Sequence, residues 1–361
     1  MFQFKTKKTI LDIRPYVPGE SKSDSTERLV KLSSNEGAFG PSPKAVKAMQ
    51  EAATNMHRYP DGDANILRDA IAKKNNIDKK NIICGAGSDE IIMFLCQAFA
   101  GEGDEVLHSE HGFLMYSIYA KAAGATPVSA PEKDLIADPQ ALLDKVTDKT
   151  RLIFLANPNN PTGTYWTRQT VVDFHTRLPK NVILVLDSAY AEFVDDPDYT
   201  AGHDLVKQHN NIVVTRTFSK LYGLGGVRLG WGHASDEIID ILNRIRGPFN
   251  ANRCAQAAGV AALNDDEFVQ QSIEHNKKML DWVSAELISL GLDVVPSQGN
   301  FVIVDFGDEE RAEGCRLYLK EQNIFVRQIG GYGLPTYLRI SIGLEDEMKL
   351  ALEAICAYLS K

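Results

Sequence analysis

Residues 151–190 have the sequence RLIFLANPNNPTGTYWTRQTVVDFHTRLPKNVILVLDSAY, and this part of the chain indicates the fold most clearly. It contains two apolar runs of strand length, RLIFLAN (151–157) and VILVLD (182–187). Comparable runs elsewhere in the chain are NIICGAG (81–87), EVLHS (105–109), ATPVSA (125–130), NIVVTRTF (211–218) and LGWGH (229–233). A helical pattern separates most of these runs, which is typical of a mostly parallel sheet covered by helices on both faces. The sequence therefore predicts an α/β fold.

The rest of the chain predicts a division into domains. Residues 1–40 are rich in proline and polar residues, and we expect them to form an N-terminal arm and part of a smaller domain. Residues 41–250 are predicted to form the large domain. Strand-like runs and helical stretches follow in a different order over 251–361, which predicts a small α+β domain. A chain of 361 residues is longer than the chains that usually fold around a single hydrophobic core, so we expect two domains with a cleft between them.

Composition excludes several classes of protein. The chain has 39 Lys and Arg against 48 Asp and Glu, a formal net charge of −9, which argues against a nucleic-acid partner. No run approaches the roughly 20 apolar residues of a membrane span, and the N-terminus lacks the apolar centre of a signal peptide. The cysteines and histidines have neither disulfide-framework nor metal-ligand spacing, so no metal is expected. We expect a cytoplasmic protein.

Residues suited to chemistry follow the first predicted strand. Ligands of parallel sheets bind beyond the carboxyl ends of the strands. NIICGAG ends at Gly87 and leads to Ser88 and Asp89, one of which is expected to cap a helix whose free amides would suit a phosphate. A helix cap without a ligand explains the segment equally well. Glu90 stands where a dinucleotide fingerprint needs its third glycine, which argues against a nicotinamide-dependent oxidoreductase.

Three later strands end in further polar residues. RLIFLAN runs into a proline-rich turn with Asn160, and VILVLD ends at Asp187, three residues before Tyr190. NIVVTRTF ends near Lys220, and Arg228 follows in a glycine-rich loop. Taken singly, these residues have ordinary explanations: a turn, a helix cap and a solvated lysine. Only their combination points to chemistry.

One cofactor would use all four strand ends together. A lysine can form a Schiff base with an aldehyde, and an aspartate can hold a pyridine nitrogen protonated. A phenol and an amide can bind a phenolate oxygen, while a helix N-terminus and an arginine can bind a phosphate. This set of groups matches pyridoxal 5'-phosphate. Lys220 would then carry the proton from the substrate's Cα, first as base and then as acid.

These motifs resemble those of the fold type I pyridoxal-phosphate-dependent aminotransferases of class I and II, and among them the branch that acts on histidinol phosphate. The segments that carry the resemblance are IRPYVPG (13–19), KLSSNEGAFGPSP (31–43), RYPDG (58–62), GAGSDE (85–90), GFLMY (112–116), NPNNPTG (157–163), DSAYAEF (187–193), RTFSKLYGLGGVRLGW (216–231), RGPFN (246–250) and YLRISIG (337–343). The resemblance implies a seven-stranded, mostly parallel sheet in an α/β/α sandwich, a small domain from both chain ends, and a homodimer with shared active sites.

The resemblance also implies roles for single residues. Lys220 would bind the cofactor's aldehyde, Asp187 its ring nitrogen, and Asn160 and Tyr190 its ring oxygen. Phe113 would stack on the ring. The phosphate would be surrounded by Gly87, Ser88, Asp89, Thr217, Ser219 and Arg228, with Tyr59 reaching it from the partner subunit. The substrate would be bound by Arg339, with Arg327, Tyr16 and Asn35 as weaker candidates.

The implied reaction is the transamination of L-histidinol phosphate and 2-oxoglutarate to imidazole-acetol phosphate and L-glutamate, a ping-pong exchange in histidine biosynthesis. One arginine cluster would accept a phosphate in one half-reaction and a carboxylate in the other. An aromatic amino acid aminotransferase and a threonine-phosphate decarboxylase-like enzyme remain alternatives.

Three departures from the family pattern lie near the region where substrates are chosen. They are Gly37-Ala38, where many relatives have Asn-Pro, His111 before Gly112-Phe113, and Gly225-Gly226 before Arg228. They leave the predicted reaction type unchanged and leave the amino donor open.

Overall fold

The computed structural model describes residues 4–17, 19–20 and 28–361, so Pro18 and most of the polar stretch SKSDSTER lie outside the described residues. The helices, numbered along the chain, are α1 Lys8–Leu11, α2 Pro43–Ala53, α3 Asn65–Asn75, α4 Ser88–Phe99, α5 Met115–Ala123, α6 Pro139–Asp144, α7 Arg168–Thr176, α8 His203–Val206, α9 Asp236–Ile245, α10 Arg253–Leu263, α11 Asp266–Ser289, α12 Glu309–Glu321 and α13 Glu345–Leu359. The strands are β1 Val30–Leu32, β2 Ile82–Gly85, β3 Glu105–Ser109, β4 Thr126–Ala130, β5 Glu132–Lys133, β6 Ile136–Ala137, β7 Thr150–Ala156, β8 Ile183–Asp187, β9 Ile212–Thr217, β10 Gly230–His233, β11 Asp293–Val295, β12 Phe301–Asp305, β13 Ile324–Ile329 and β14 Leu334–Ser341.

The large sheet has seven strands in the order β2-β10-β9-β8-β7-β3-β4. Only β10 runs antiparallel to its neighbours β2 and β9, while β9, β8, β7, β3 and β4 are parallel. All residues of β8 and β9 are buried, as the continuous apolar runs require of strands covered on both faces. The predicted α/β fold with a mostly parallel seven-stranded sheet is confirmed.

The smaller sheet has five strands in the order β1-β13-β14-β12-β11. Strand β1 comes from the N-terminal segment and pairs in parallel with β13, Val30 lying opposite Ile324. Helices α11, α12 and α13 cover one face through an apolar cluster that includes Val283, Leu319 and Ile355. Both ends of the chain therefore contribute to this sheet.

The other face of the smaller sheet packs towards the large one. Phe301 and Ile303 of β12 lie in the same buried cluster as Tyr190, Phe193 and Leu221, which follow β8 and β9. The rings of Tyr190 and Phe301 meet edge to face, with centroids 5.3 Å apart. This cluster fixes the small sheet directly over the carboxyl ends of the central strands.

Helix α10 packs with the helices of the large sheet. Ala255 and Ala258 share a buried cluster with Ala45 of α2 and Leu67 and Ile71 of α3. The small side chains of α10 let these helices approach closely. The domain boundary near residue 250 stays a prediction.

None of the helices in the described ranges has the length and apolar character needed to cross a bilayer.

Candidate active site

A cavity of about 240 Å³ lies between the carboxyl ends of the central strands and the small sheet. Strands β7, β8 and β9, the start of α4, the N-terminal segment and β14 all contribute to its walls. The residues predicted from the sequence that line it are Tyr16, Asn35, Ser88, Asp89, Phe113, Asn160, Asp187, Tyr190, Thr217, Ser219, Lys220, Arg228 and Arg339. The fold thus brings residues from distant parts of the chain to one place.

Three predicted site residues lie elsewhere in this chain. Gly87 lies just behind the cavity wall, at the N-cap of α4. Tyr59 is 78% exposed and stacks on Phe249, with ring centroids 4.5 Å apart. Arg327 lines a neighbouring cavity of about 1080 Å³, which it shares with Tyr16 and Arg14. Because Tyr16 lines both cavities, the two adjoin.

Lys220 is the amine of the smaller cavity. Its Nζ donates a hydrogen bond to the backbone oxygen of Ser34 at 3.1 Å and lies 5.7 Å from the ring centre of Tyr190. Desolvation, aided by the positive charges of Arg339 and Arg228, lowers the pKa of Lys220 to about 7. A large fraction of this amine is therefore unprotonated and nucleophilic near neutral pH.

Asp187 ends β8 as a buried carboxylate with both oxygens engaged. Tyr116 of α5 donates its phenol proton to Oδ2 at 2.6 Å, and Thr215 of β9 donates to Oδ1 at 2.9 Å. Burial raises the pKa of Asp187, while these two hydrogen bonds oppose the rise. Such a carboxylate is prepared to pair with a cation that enters the cavity.

The start of α4 and the guanidinium of Arg228 lie together at one end of the cavity. The N-cap of α4 is Gly87, with φ of +90° and no side-chain cap, so the expectation that Ser88 or Asp89 caps this helix is wrong. A Cβ on Gly87 would lie 2.5 Å from Nη2 of Arg228, so only glycine lets the guanidinium approach this closely. The first amides of the helix thus stay open beside a positive charge. Nη2 of Arg228 lies 4.0 Å from Oδ2 of Asp89.

Arg339 crosses from the small sheet to the large one. This 6% exposed side chain donates to Oδ1 of Asn160 and, at 3.1 Å, to the backbone oxygen of Ser33. Within the described part of the chain its buried Nε has no hydrogen-bond partner. An unsatisfied buried guanidinium nitrogen at a cavity wall is suited to an anionic ligand.

Sequence reasoning missed several residues that support the site. Tyr116 and Thr215 hold Asp187, and Ser34 holds Lys220 through its backbone oxygen. Strand alternation offered one signal, because Thr215 stands two residues before the predicted Thr217 and so faces the same side of β9. Nothing in the local sequence indicates the contact of Tyr116, which is 71 residues away from Asp187.

Comparison with known proteins gives a consistent result. The family model for aminotransferase class I and II matches residues 27–355. A histidinol-phosphate aminotransferase of Paramagnetospirillum magneticum is 51% identical over 352 residues, covering 97% of each chain, and one of Rhodospirillum centenum is 50% identical with the same coverage. The crystal structure of histidinol-phosphate aminotransferase from Sinorhizobium meliloti in complex with pyridoxal-5'-phosphate aligns with a TM-score of 0.88 and 30% identity, over 92% of this chain and 91% of that one.

Proposed function

The chain belongs to the class I and II aminotransferase family, and on that premise we propose that it is a pyridoxal-phosphate-dependent transaminase of L-histidinol phosphate and 2-oxoglutarate. The observation that carries the proposal is the convergence of Lys220, Asp187 and Arg339 on one cavity. The products are imidazole-acetol phosphate and L-glutamate, as in histidine biosynthesis. Relatives at 50–51% identity over 97% of the chain favour this substrate over an aromatic amino acid or a threonine phosphate.

The residues of the cavity fit pyridoxal phosphate. The amine of Lys220 is suited to hold the aldehyde carbon, because its lowered pKa leaves it nucleophilic. The buried carboxylate of Asp187 suits the ring nitrogen, and Asn160 and Tyr190 suit the ring oxygen. The phosphate would be held by the open amides at Ser88 and Asp89 and by Arg228, with the Thr217 and Ser219 hydroxyls at the same end, while Phe113 would cover the ring.

When bound, this cofactor supplies an electron-withdrawing ring that stabilises the negative charge left on the substrate's Cα. Asp187 would hold a proton on the ring nitrogen through its negative charge, and the hydrogen bonds from Tyr116 and Thr215 keep its carboxylate in one orientation. With the substrate amine in place, the free amine of Lys220 would take the proton from the substrate's Cα as a base and then, as an acid, donate that proton to the cofactor. The cavity walls hold this amine beside Tyr190, 5.7 Å from the ring centre.

The arginines explain how one site accepts two anions. Arg339 presents a buried guanidinium, and its planar nitrogens bind a carboxylate or a phosphate in the same way. Arg327 lies in the adjoining larger cavity, where its guanidinium carbon is 5.9 Å from the ring centre of Tyr16. We assign the phosphate of histidinol phosphate and the carboxylate of glutamate to the same place, bound by Arg339 with Arg327 and Tyr16 beside it, each in its own half-reaction.

A donor panel tests the proposed function. The holoenzyme, given 2-oxoglutarate, should form glutamate fastest with histidinol phosphate and far more slowly with phenylalanine or tyrosine. Each donor alone should also convert the cofactor to its amine form in the same order, as read from its absorbance. Turnover with phenylalanine in the absence of any with histidinol phosphate would move the assignment to aromatic transamination, and release of carbon dioxide from threonine phosphate would move it to decarboxylation.

The lowered pKa of Lys220 predicts how cofactor capture depends on pH. Only the unprotonated amine attacks an aldehyde, so the rate at which the apoprotein binds pyridoxal phosphate covalently should rise through about pH 7 and level off above it. With a lysine of ordinary pKa, this rate would keep rising until about pH 10.5. Stopped-flow absorbance measures this rate. In Arg339→Gln, which removes a nearby positive charge, the midpoint should move upwards; a midpoint that stays above 9 in the parent protein would contradict the prediction.

We also propose that the chain forms a homodimer with shared active sites. The support is an exposed apolar surface around Tyr59 and Phe249, which are 78% and 40% exposed, with Met56 of the same surface 56% exposed. Stacked aromatic rings left in solvent are typical of a surface that another chain covers. In this assembly the partner subunit would use its Tyr59 to bind the cofactor phosphate.

The dimer proposal makes a measurable prediction. Tyr59→Phe keeps the ring but loses the hydroxyl, so the protein should stay a dimer in sedimentation while its Kd for pyridoxal phosphate rises about tenfold, as expected for one hydrogen bond to a charged group. Tyr318→Phe on α12 is the matched control. A monomer at micromolar concentration, or an unchanged Kd in Tyr59→Phe, would count against shared sites.

We further propose a cytoplasmic location, supported by free thiols at all the cysteines, Cys84, Cys96, Cys254, Cys315 and Cys356. Burial raises the pKa of Cys84, Cys96 and Cys315 to about 12, which keeps these thiols unreactive.

A further inference from the structure

Hydrogen bonds connect three buried residues in a row: Ser341 of the small sheet, Asn35 and Tyr190. The backbone N–H of Asn35 donates to Oγ of Ser341 at 2.8 Å, and Oγ of Ser341 lies 3.0 Å from Oδ1 of Asn35. Nδ2 of Asn35 then donates to the phenol oxygen of Tyr190 at 3.0 Å. The three residues are 3% or less exposed, so water does not compete for these bonds.

The directions of these bonds follow from the donors available. Ser341 has one hydroxyl proton, and since its oxygen already accepts from the Asn35 backbone, that proton goes to Oδ1. The amide group of Asn35 must therefore turn Nδ2 towards Tyr190. The phenol oxygen is the acceptor in that bond, which leaves the proton of Tyr190 free to point into the cavity that its side chain lines.

The backbone around Asn35 is fixed as well. Asn35 has φ of +54°, in the left-handed region that a non-glycine residue occupies at a cost. Nδ2 of Asn300 donates to the backbone oxygens of Asn35 and Glu36, both at 3.1 Å. The surrounding residues therefore hold Asn35 in one orientation, with its amide between Ser341 and Tyr190.

We propose that Ser341 and Asn35 are positioning residues that make Tyr190 a hydrogen-bond donor to the ring oxygen of bound pyridoxal phosphate. This rests on the proposed function and gives Asn35 a role besides the substrate contact expected from the sequence. A donor favours the ring oxygen most when the adjacent lysine–cofactor nitrogen carries no proton, because the oxygen then has its full negative charge. The hydrogen bonds that run from Ser341 through Asn35 to Tyr190 should thus lower the pH at which the visible absorbance of the holoenzyme changes.

The test is a pH titration of that absorbance. Ser341→Ala should raise the midpoint by about 0.5–1 pH unit, the effect of one weakened hydrogen bond, and Tyr190→Phe should raise it further. In the Tyr190→Phe background, Ser341→Ala should add no shift, because the proposed effect acts only through the phenol. Ser341→Thr, which keeps the hydroxyl, should titrate like the parent, and so should the control Ser42→Ala, which removes a buried hydroxyl at the N-cap of α2.

Each result is decisive. An unshifted midpoint in Ser341→Ala, or a full extra shift in the Tyr190→Phe background, would overturn the positioning role. If Ser341→Ala does not fold, Asn35→Gly provides the same test, because glycine tolerates the positive φ, adds no charge and removes the donor to the phenol oxygen, so it should raise the midpoint only where the phenol is present. Failure of the parent protein to bind pyridoxal phosphate at all would instead reject the proposed function.

Discussion

Lys220→Ala should end covalent cofactor binding and lower kcat by at least about 10⁴-fold, the upper range for a positioned acid–base group. No other lysine lines the cavity in the described chain, so none can replace this amine. Among the described residues this amine hydrogen-bonds to the backbone oxygen of Ser34, and removing that one bond should leave the fold intact. Borohydride reduction followed by peptide mass spectrometry measures attachment, and a glutamate-coupled assay measures kcat.

The matched control is Lys180→Ala, which changes an exposed lysine between α7 and β8. It should keep both the covalent adduct and the rate. A cofactor that is still found covalently attached in Lys220→Ala, or turnover within tenfold of the parent, would refute the assignment of the amine. Circular dichroism and thermal unfolding of Lys220→Ala separate a chemical loss from a folding defect.

Asp187→Asn should lower kcat by about 10²–10⁴-fold, because removing one partner of a buried charge pair costs about 3–5 kcal/mol. An amide cannot hold the ring nitrogen protonated by charge, so the ring withdraws electrons less strongly. In the parent protein Tyr116 and Thr215 each donate a hydrogen bond to the carboxylate, and in Asp187→Asn one of these two hydroxyls would face an amide N–H and lose its acceptor. Rapid-mixing absorbance with histidinol phosphate alone isolates the affected half-reaction.

For this prediction the control is Asp173→Asn on the exposed side of α7. It removes the same charge from the chain and should change neither kcat nor cofactor affinity. If Asp187→Asn binds the cofactor and turns over within tenfold of the parent, the proposed pairing with the ring nitrogen is wrong.

Much of the large sheet could be predicted because its strands are continuous apolar runs. The runs at 151–157, 182–187 and 211–218 became β7, β8 and β9 within a few residues. Burial on both faces forces nearly every position to be apolar, and this leaves a signal in the sequence. The short strand β1, three residues long, left no such signal, because its place depends on pairing with β13.

The departures from the family pattern have different structural settings. A Cβ on Gly37 would lie 2.8 Å from the backbone oxygen of Lys220, so a side chain at this position would require the backbone to shift. His111 places Nδ1 2.6 Å from the backbone oxygen of Tyr332. A Cβ on Gly226 would meet nothing within 4 Å, so sterics do not require glycine at that position. Their effect on substrate choice stays a prediction.

Local patterns in the sequence predict the alternation of strands and helices, and with it the edge of the sheet where Asp187 ends β8 and where Tyr190 and Lys220 follow β8 and β9. Side-chain periodicity and strand direction are local properties, so they can be read from neighbouring residues. Which groups hold these residues in place depends on how the two sheets pack together. Asn35 and Ser341 are 306 residues apart, and their hydrogen bonds exist because the small sheet packs over the large one. The orientation of the Tyr190 proton follows from that packing, and no local sequence pattern records it.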